Sequence, residues 1–391
     1  MITIIKNGEV YSPEYLGKKD VVLVGDKIEG IYDNIDIPKE FIDINVIDAS
    51  GKLILPGFID SHVHILGGGG EGGFKTRTPE IQLSDLLLGG ITTVVGCLGT
   101  DGVCRDIKSL LAKARALDEE GITTYIYTGS YEIPVNTITD TVRSDVILID
   151  KIIGAGEIAI SDHRSSQGTF NDFVDVVAQA RVGGMLSGKA GIVNVHIGDG
   201  KSELSYLSKM LQETDLPVSQ VVPTHINRSE KVFHAGIQFA KLGGFVDLTT
   251  SSDPEFLEED EVKASIGLRR MMEEGISIDQ IMFSSDGQGS LPMYNKVGEL
   301  IGLGIGSVQS LFREVKDAVK KDRVNLEDAI KVITSNPARA LKLNSKGKIE
   351  KGMDADVVII DKDQFKIANV IVEGREALSE GNLLIKGTFE K

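Results

Sequence analysis

The 391-residue sequence predicts an α/β fold: a (β/α)8 TIM-like barrel with a small β-sandwich built from both chain ends. Three observations predict it. Between Leu53 and Asp286, short β-rich runs alternate with longer amphipathic stretches, the pattern of repeated βα units around a parallel sheet. The flanks, Ile2 to Ile47 and Gly347 to Gly387, instead carry short strand-like runs punctuated by Gly, Asn and Asp. The length suits a barrel of roughly 250 residues plus a smaller module.

Eight barrel strands are expected: Ile54 to His64, Ile91 to Leu98, Thr123 to Thr128, Glu157 to Ser161, Gly191 to His196, Gln220 to His225, Gly244 to Thr249 and Gln280 to Ser285. Helix-period segments fall between them, at Asp106 to Glu119, Asn171 to Met185, Glu230 to Leu242 and Glu261 to Glu274. Eight units close a barrel more readily than they extend an open sheet. Helices at Gly306 to Lys321 and Leu326 to Leu341 would carry the chain back, so that its end can pair with its beginning. The expected division is residues 1–52 and 346–391 for the sandwich and 53–345 for the barrel. No internal repeat appears, and Gly67 to Gly70 is the sole low-complexity tract.

Hydrophobic residues at 41% and charged residues at 26% match a soluble globular chain and argue against disorder or a fibre. Lys plus Arg at 42 against Asp plus Glu at 58 gives a net charge of −16, which repels phosphate backbones and anionic lipid. Neither nucleic acid nor a membrane is an expected partner. The opening residues lack the basic and apolar regions of a secretion signal, and no apolar run approaches about 18 residues. A cytoplasmic protein is expected. Cys97 and Cys104 lie too close together to staple a fold and lack CxxC spacing; Cys97 reads as a buried inert thiol and Cys104 as a loop residue.

Chemistry is signalled by the histidines. Of six, four fall at or just beyond strand C-terminal ends: His62 and His64 after the first strand, His196 after the fifth, His225 after the sixth. All strand C-termini of such a barrel open onto one face, so these residues converge. His62 and His64, two apart on a strand, point the same way. Neutral imidazole is a common ligand of zinc and similar ions. Asp286 leaves the apolar eighth strand at the same rim. A lone histidine is more often a hydrogen-bonded core residue, and Asp60 or Asp286 alone a turn or cap; four histidines at equivalent strand ends favour a metal site.

The run Pro56-Gly57-Phe58-Ile59-Asp60-Ser61-His62-Val63-His64, followed by His196, His225 and Asp286, resembles the amidohydrolase superfamily. The tail from Gly347 to Asp356 looks like the return of that superfamily's β-sandwich. Further along, Gly67-Gly68-Gly69-Gly70-Glu71, Leu98-Gly99-Thr100-Asp101, Thr128-Gly129-Ser130-Tyr131, Ser161-Asp162-His163-Arg164-Ser165, Pro223-Thr224-His225-Ile226-Asn227-Arg228 and Ser285-Asp286-Gly287-Gln288-Gly289-Ser290 look like motifs of the isoaspartyl (β-aspartyl) dipeptidases.

That resemblance implies a metallo-dipeptidase acting on small β-aspartyl dipeptides through a metal-activated hydroxide. It implies two divalent ions, zinc by family weight. His62 and His64 would bind the first, His196 and His225 the second, and Asp286 would contact the first while serving as general acid and base. It assigns Tyr131 to the developing oxyanion, Glu71 to the substrate ammonium, Arg164 and Arg228 to carboxylate, and Gly69, Thr100 and Ser290 to further hydrogen bonds. His163 is expected as support for a ligand, and His234, within a helix, as structural. A homo-oligomer is also implied.

One departure stands out. Where the family places a carboxylated lysine that bridges the metals, this chain has Glu157, which offers the same two oxygens on a shorter stem. Gly154 and Gly156 beside it would admit closer backbone approach. A bridging Glu157 over two metals, and a one-metal site with Glu157 paired to Arg164, are both open from sequence. So are two rival functions: another amidohydrolase on this scaffold, either a cyclic-amide hydrolase or a deaminase, and a non-catalytic assembly relative.

Overall fold

The computed structural model describes residues 1–37, 43–252, 260–294 and 300–391. The N-terminal flank forms β1 (Ile2–Tyr11), β2 (Tyr15–Val24), β3 (Lys27–Tyr32), β4 (Ile44–Asp48) and β5 (Lys52–Pro56). Eight parallel strands follow: β6 (Phe58–Val63), β7 (Ile91–Gly96), β8 (Thr123–Thr128), β9 (Ile152–Ile160), β10 (Ile192–Ile197), β11 (Val221–Thr224), β12 (Val246–Thr249) and β13 (Ile281–Ser284). Each matches an expected strand, with shifted ends. The fourth begins earlier than expected, at Ile152, and is buried along its whole length, as a strand covered on both faces should be.

The expected first strand is in fact two. Gly57 separates β5, which pairs antiparallel with the C-terminal flank, from β6, which opens the barrel. A Cβ there would lie 2.2 Å from Thr92 Oγ1 and 2.8 Å from Asp356 Cβ, so the hand-over between the two units needs glycine. Continuous β-rich sequence cannot reveal such a change of partner.

Strands β6 to β11 form one ladder in sequence order, and β12 pairs with β13. Hydrogen bonds just beyond the strand ends join these two sheets. Ile226 N donates to Asp247 O at 3.2 Å, Asp286 N to His62 O at 3.1 Å, and His64 N to Gly287 O at 2.9 Å. Asp60, fully buried at the same seam, accepts from Ser285 N at 3.1 Å; burial pushes its carboxyl up to about 6 despite that bond.

Helices cross over between the strands: α1 (Leu83–Leu88), α2 (Ile107–Glu120), α3 (Val142–Leu148), α4 (Phe170–Ser187), α5 (Ser205–Glu213), α6 (Glu230–Lys241) and α7 (Ala264–Glu273). Their starts are encoded locally. Asp106, Thr169 and Ser229 cap α2, α4 and α6 by accepting from backbone N–H groups of the first turn. Between β13 and the return helices lies an unanticipated hairpin, β14 (Ser290–Tyr294) with β15 (Leu300–Ile305).

Past α8 (Ser310–Lys320), the helix expected over Leu326 to Leu341 is broken into α9 (Leu326–Lys331) and α10 (Ser335–Ala340). Pro337 has no N–H to offer the Ile333 carbonyl, which instead accepts from Ile59 N at 2.8 Å, while Val332 O accepts from Phe283 N at 3.0 Å. The break thus ties the return helices to the first and last barrel strands.

The chain closes with β16 (Val357–Asp361), β17 (Lys366–Val372), β18 (Arg375–Ser379) and β19 (Asn382–Leu383). The two ends do pair, but as one nine-stranded sheet in the order β19-β18-β17-β16-β5-β1-β2-β3, with β4 also on β1. β1 causes this. Its residues Ile2 to Lys6 pair with β4, whereas Glu9 and Val10 pair with β5, so one strand serves both groups. Ile5, Val10, Val21, Ile54, Val357 and Ile371 share the apolar core of this sheet, separate from the barrel core.

Gly57→Ala should lower unfolding free energy in a denaturant titration by about 1–3 kcal/mol, the usual cost of overpacking. Unchanged stability would show that the junction yields to a methyl group.

Candidate active site

The rim of the barrel gathers the ligand-type side chains because their strands end there. His62 lies in β6 with His64 just past its end, Glu157 is in β9, His196 is in β10, His225 follows β11, and Asp286 follows β13. The four histidines and Glu157 are all buried. Two glycines let Glu157 sit so deep. A Cβ at Gly154 would lie 2.3 Å from Ile192 O, and one at Gly156 would lie 2.9 Å from Asn194 Cβ, so β9 and β10 approach as only glycine allows. His225 and Asp286 leave their strands with φ of 61° and 52°, a left-handed conformation that costs a non-glycine residue strain.

Each Glu157 oxygen faces one histidine pair. Oε2 lies 3.3 Å from His62 Nε2 and 3.8 Å from His64 Nε2; Oε1 lies 2.6 Å from His196 Nδ1 and 3.1 Å from His225 Nε2. Asp286 Oδ1 joins the first pair, 3.0 Å from His64 Nε2 and 3.7 Å from His62 Nε2. Glu157 therefore does not pair with Arg164, which binds Asp162 instead.

The residues present fit divalent cations. His62 Nε2, Glu157 Oε2 and Asp286 Oδ1 are buried and make no hydrogen bond, although they lie within 3.0 to 3.8 Å of ligand-type neighbours. Close donors that converge without hydrogen-bond alignment are what ligands around one point look like. Two overlapping sets of ligand atoms, His62–His64–Cys97–Glu157 and Glu157–His196–His225, each lie within 4.8 Å of one another and share Glu157.

Outward-facing nitrogens are anchored. His62 Nδ1 is 3.0 Å from Asn194 Oδ1, His225 Nδ1 is 2.7 Å from Thr249 Oγ1, and His196 Nε2 is 2.9 Å from Asp162 Oδ2. Such bonds fix ring orientation and leave the other nitrogen to the ion. None of these three anchors was singled out from sequence, though Asn194 precedes His196 by two on one strand and so shares its face. Cys97, fully buried just past β7, shares an apolar cluster with Ile59, Val95 and Tyr127, as a buried thiol should, and its Sγ also lies 3.8 Å from His64 Nδ1 at the edge of the ligand-type residues.

Electrostatics follow the same logic. Burial would raise the Glu157 carboxyl, but His62 and His196 outweigh it and hold Glu157 well below the usual range. Burial would likewise lower His62 and His64. For His62, Cys97 and Glu157 reverse the sign, and for His64, Cys97 and Asp286 do, so both rise well above ordinary histidine. His225, dominated by burial, falls to about 3 and stays neutral.

Residues 53–377 match the amidohydrolase family. The chain belongs to that family. The match brings with it a TIM-like barrel and divalent-metal chemistry, both consistent with the site of this amidohydrolase. The chain is 47% identical to the β-aspartyl dipeptidase of Fervidobacterium islandicum AW-1, whose structure in complex with β-Asp-Leu superimposes with a TM-score of 0.91 over 98% of this chain and 97% of that one. A dihydroorotase of Lactobacillus gasseri is 24% identical, covering 96% of this chain and 93% of its own. Dihydropyrimidinase from Brevibacillus agri shares the fold, with a TM-score of 0.68 at 17% identity over 99% of this chain and 97% of that one.

Above the histidines of this amidohydrolase opens a cavity of about 860 Å³. Gly69, Glu71, Thr100, Tyr131, Arg164, Arg228 and Ser290 all line it, so every residue expected on the substrate side reaches one space. Glu71 accepts from Thr100 Oγ1 at 2.6 Å, and Arg164 forks onto Asp162 with bonds of 3.0 and 2.7 Å. Arg228 is only loosely paired, 3.9 Å from Asp162 and 4.0 Å from Asp199. The Tyr131 hydroxyl lies 2.8 Å from His196 Nδ1, and burial keeps it protonated. Leu291, Met293, Leu303 and Ile305 of the hairpin supply an apolar wall.

Two histidines lie outside the ligand-type clusters, although His163 does line the cavity. His163 is 90% exposed, and the support expected of it comes from its neighbour Asp162. His234 stands on the exposed face of α6, 4.0 Å from Glu230. Cys104 is an exposed loop residue, as expected. Among the described residues no helix is long and apolar enough to cross a membrane.

Because His62 and His64 hold protons strongly without a cation, a metal must displace them. Metal affinity of chelator-treated protein should rise with pH, and still do so above about 6.5, the ordinary imidazole value. Calorimetric titration with zinc in two buffers of different ionisation enthalpy should detect net proton release; buffer-independent heats would show both imidazoles already neutral.

Proposed function

We propose that this amidohydrolase is a metallo-dipeptidase that hydrolyses β-aspartyl dipeptides. The observation that carries the reading is the charge layout of the cavity: one carboxylate, Glu71, and two guanidinium groups, Arg164 and Arg228, around the rim of a histidine–carboxylate centre. A β-aspartyl dipeptide carries the complementary set, one ammonium and two carboxylates. Similarity to the Fervidobacterium enzyme, solved with β-Asp-Leu, supports the same reading.

His62, His64, Glu157 and Asp286 would hold one divalent ion, zinc by ligand type, and His196, His225 and Glu157 a second, with Glu157 between them. When bound, such ions polarise the scissile carbonyl and lower the pKa of an attacking water. The chain's own groups do the rest. Asp286, partly open to the cavity, takes the proton released on attack and returns it to the leaving amine. Tyr131, kept protonated, donates to the developing oxyanion. Glu71, oriented by Thr100, pairs with the substrate ammonium. Arg228, loosely held, engages a carboxylate, while Arg164 offers a fork already aligned by Asp162. Gly69 and Ser290 meet at the cavity wall, where a Cβ on Gly69 would lie 2.9 Å from Ser290 Cβ, leaving backbone and hydroxyl to bind substrate. The hairpin's apolar side chains suit a leaving residue such as leucine.

A second reading, cyclic-amide hydrolysis, is favoured by the dihydroorotase relatives. It leaves Glu71 without a cationic partner on the substrate, since a ring amide presents no free ammonium. Turnover of β-Asp-Leu should exceed that of α-Asp-Leu by orders of magnitude, because a shifted linkage leaves buried polar groups unpaired, and dihydroorotate should not be turned over. Equal rates on the two linkages, or dihydroorotate as the better substrate, would overturn the dipeptidase reading.

The two carboxylates should separate in function. Asp286→Asn is expected to retain metal but to lose about a hundredfold or more in kcat, as general-base removal does. Glu157→Gln should lose metal, read by elemental analysis, and wild-type loading should not respond to bicarbonate. Near-normal kcat in metal-replete Asp286→Asn would place the base elsewhere.

A further inference from the structure

We infer that Cys97 is a thiolate ligand to the ion held by His62 and His64. The inference rests on the metal-centre reading above and adds a donor of different chemistry to it. Its Sγ and ligand atoms of His62, His64 and Glu157 lie within 4.8 Å of one another, and all four side chains are buried. Independently, His62 Nε2 and Glu157 Oε2 are buried without any hydrogen bond, so the pocket that Cys97 borders holds unpaired donors aimed inward.

The thiol packs beside an apolar cluster that includes Ile59, Val95 and Tyr127, but its polar contacts are long. Its Sγ lies 3.6 Å from Val63 O and 3.8 Å from His64 Nδ1, long contacts for a group that donates weakly. A tetrahedral ion with nitrogen ligands at about 2.0–2.1 Å and sulfur at about 2.3 Å spaces its donors roughly 3 to 4 Å apart. The distances of 3.3 and 3.8 Å from Glu157 Oε2 to the two histidines fall in that range. Gly96 permits the placement, since a Cβ there would strike Ile65 at 2.6 Å, and β7 must come this close to β6 to present Cys97 at the cluster.

The consequence is an unequal pair of sites. With two imidazoles, the carboxylates of Glu157 and Asp286 and a thiolate, the first ion has a filled set containing one soft donor, which favours zinc or cobalt over magnesium or calcium. The second, with Glu157, His196 and His225, keeps open positions toward the cavity. The first ion should therefore bind more tightly and the second exchange more readily.

Cobalt substitution tests this with a readout independent of turnover. One equivalent of Co(II) added to chelator-treated protein should produce a near-ultraviolet sulfur-to-cobalt charge-transfer band. The band should persist in Cys104→Ser and vanish in Cys97→Ala, whose affinity for the first equivalent should fall about tenfold or more in chelator competition, at least the loss that follows removal of an outer partner of a ligand. Cobalt bound by wild-type protein without a sulfur band would overturn the Cys97 assignment and leave the metal centre standing. That spectrum decides even if Cys97→Ala fails to fold. A band lost in Cys104→Ser would equally overturn it, and no cobalt uptake would overturn both readings.

Discussion

A single buried carboxylate organises this protein. Glu157 carries a charge into the middle of a parallel barrel, where an unpaired anion would cost several kcal/mol. Imidazoles from β6, β10 and the residues after β6 and β11 surround its two oxygens at 2.6 to 3.8 Å. Those strands lie on opposite sides of the ring, so the register of the barrel and the geometry of the site are one constraint. The glycines at 154 and 156 then follow as necessities, because a bulkier residue would push β9 off β10 and Glu157 out of reach.

From that centre, order spreads outward through hydrogen bonds. Asn194, Thr249 and Asp162 each hold one histidine nitrogen and free the other. Asp162 does more, since its Oδ2 accepts from His196 and from Arg164 Nη2 at 2.7 Å. A guanidinium facing the cavity and an imidazole facing the centre are thereby positioned by the same oxygen. Burial would raise the Asp162 carboxyl, but His196 and Arg164 hold it far below the usual carboxylate range, so it stays ionised and keeps both partners across any physiological pH.

How much of this could be read from sequence depended on the kind of signal. Histidines at strand ends were legible because the residue type is scarce and the barrel's geometry brings all such ends together. Changes of partner were not. Gly57 lies inside an unbroken β-rich run, and only Thr92 and Asp356, distant in sequence, make it a junction. The return helix is expected unbroken from Leu326 to Leu341 despite Pro337, and what the break gains, a carbonyl for Ile59, depends on a residue far away in sequence. That strands of both ends join one continuous sheet with a core of its own follows from β1 changing neighbour midway, a matter of register. In the β14–β15 pair, glycines at 302 and 304 blur strand periodicity.

Cys97 illustrates why residue type alone misleads. Free cysteine is commonly a small buried hydrophobe, and no CxxC spacing marks this one. Its position does: it follows β7 directly, the same place relative to its strand that His64 and His225 occupy relative to theirs. In a closed parallel barrel, location at a strand's C-terminal end is itself evidence, because that end faces the shared mouth whatever the side chain. Applied uniformly, the criterion that marks the four histidines also marks Thr249 and Cys97, at strands 7 and 2, each of which lies against one of those histidines. The site is therefore a ring of strand ends, and residues on neighbouring ends constrain one another more strongly than residues adjacent in sequence do.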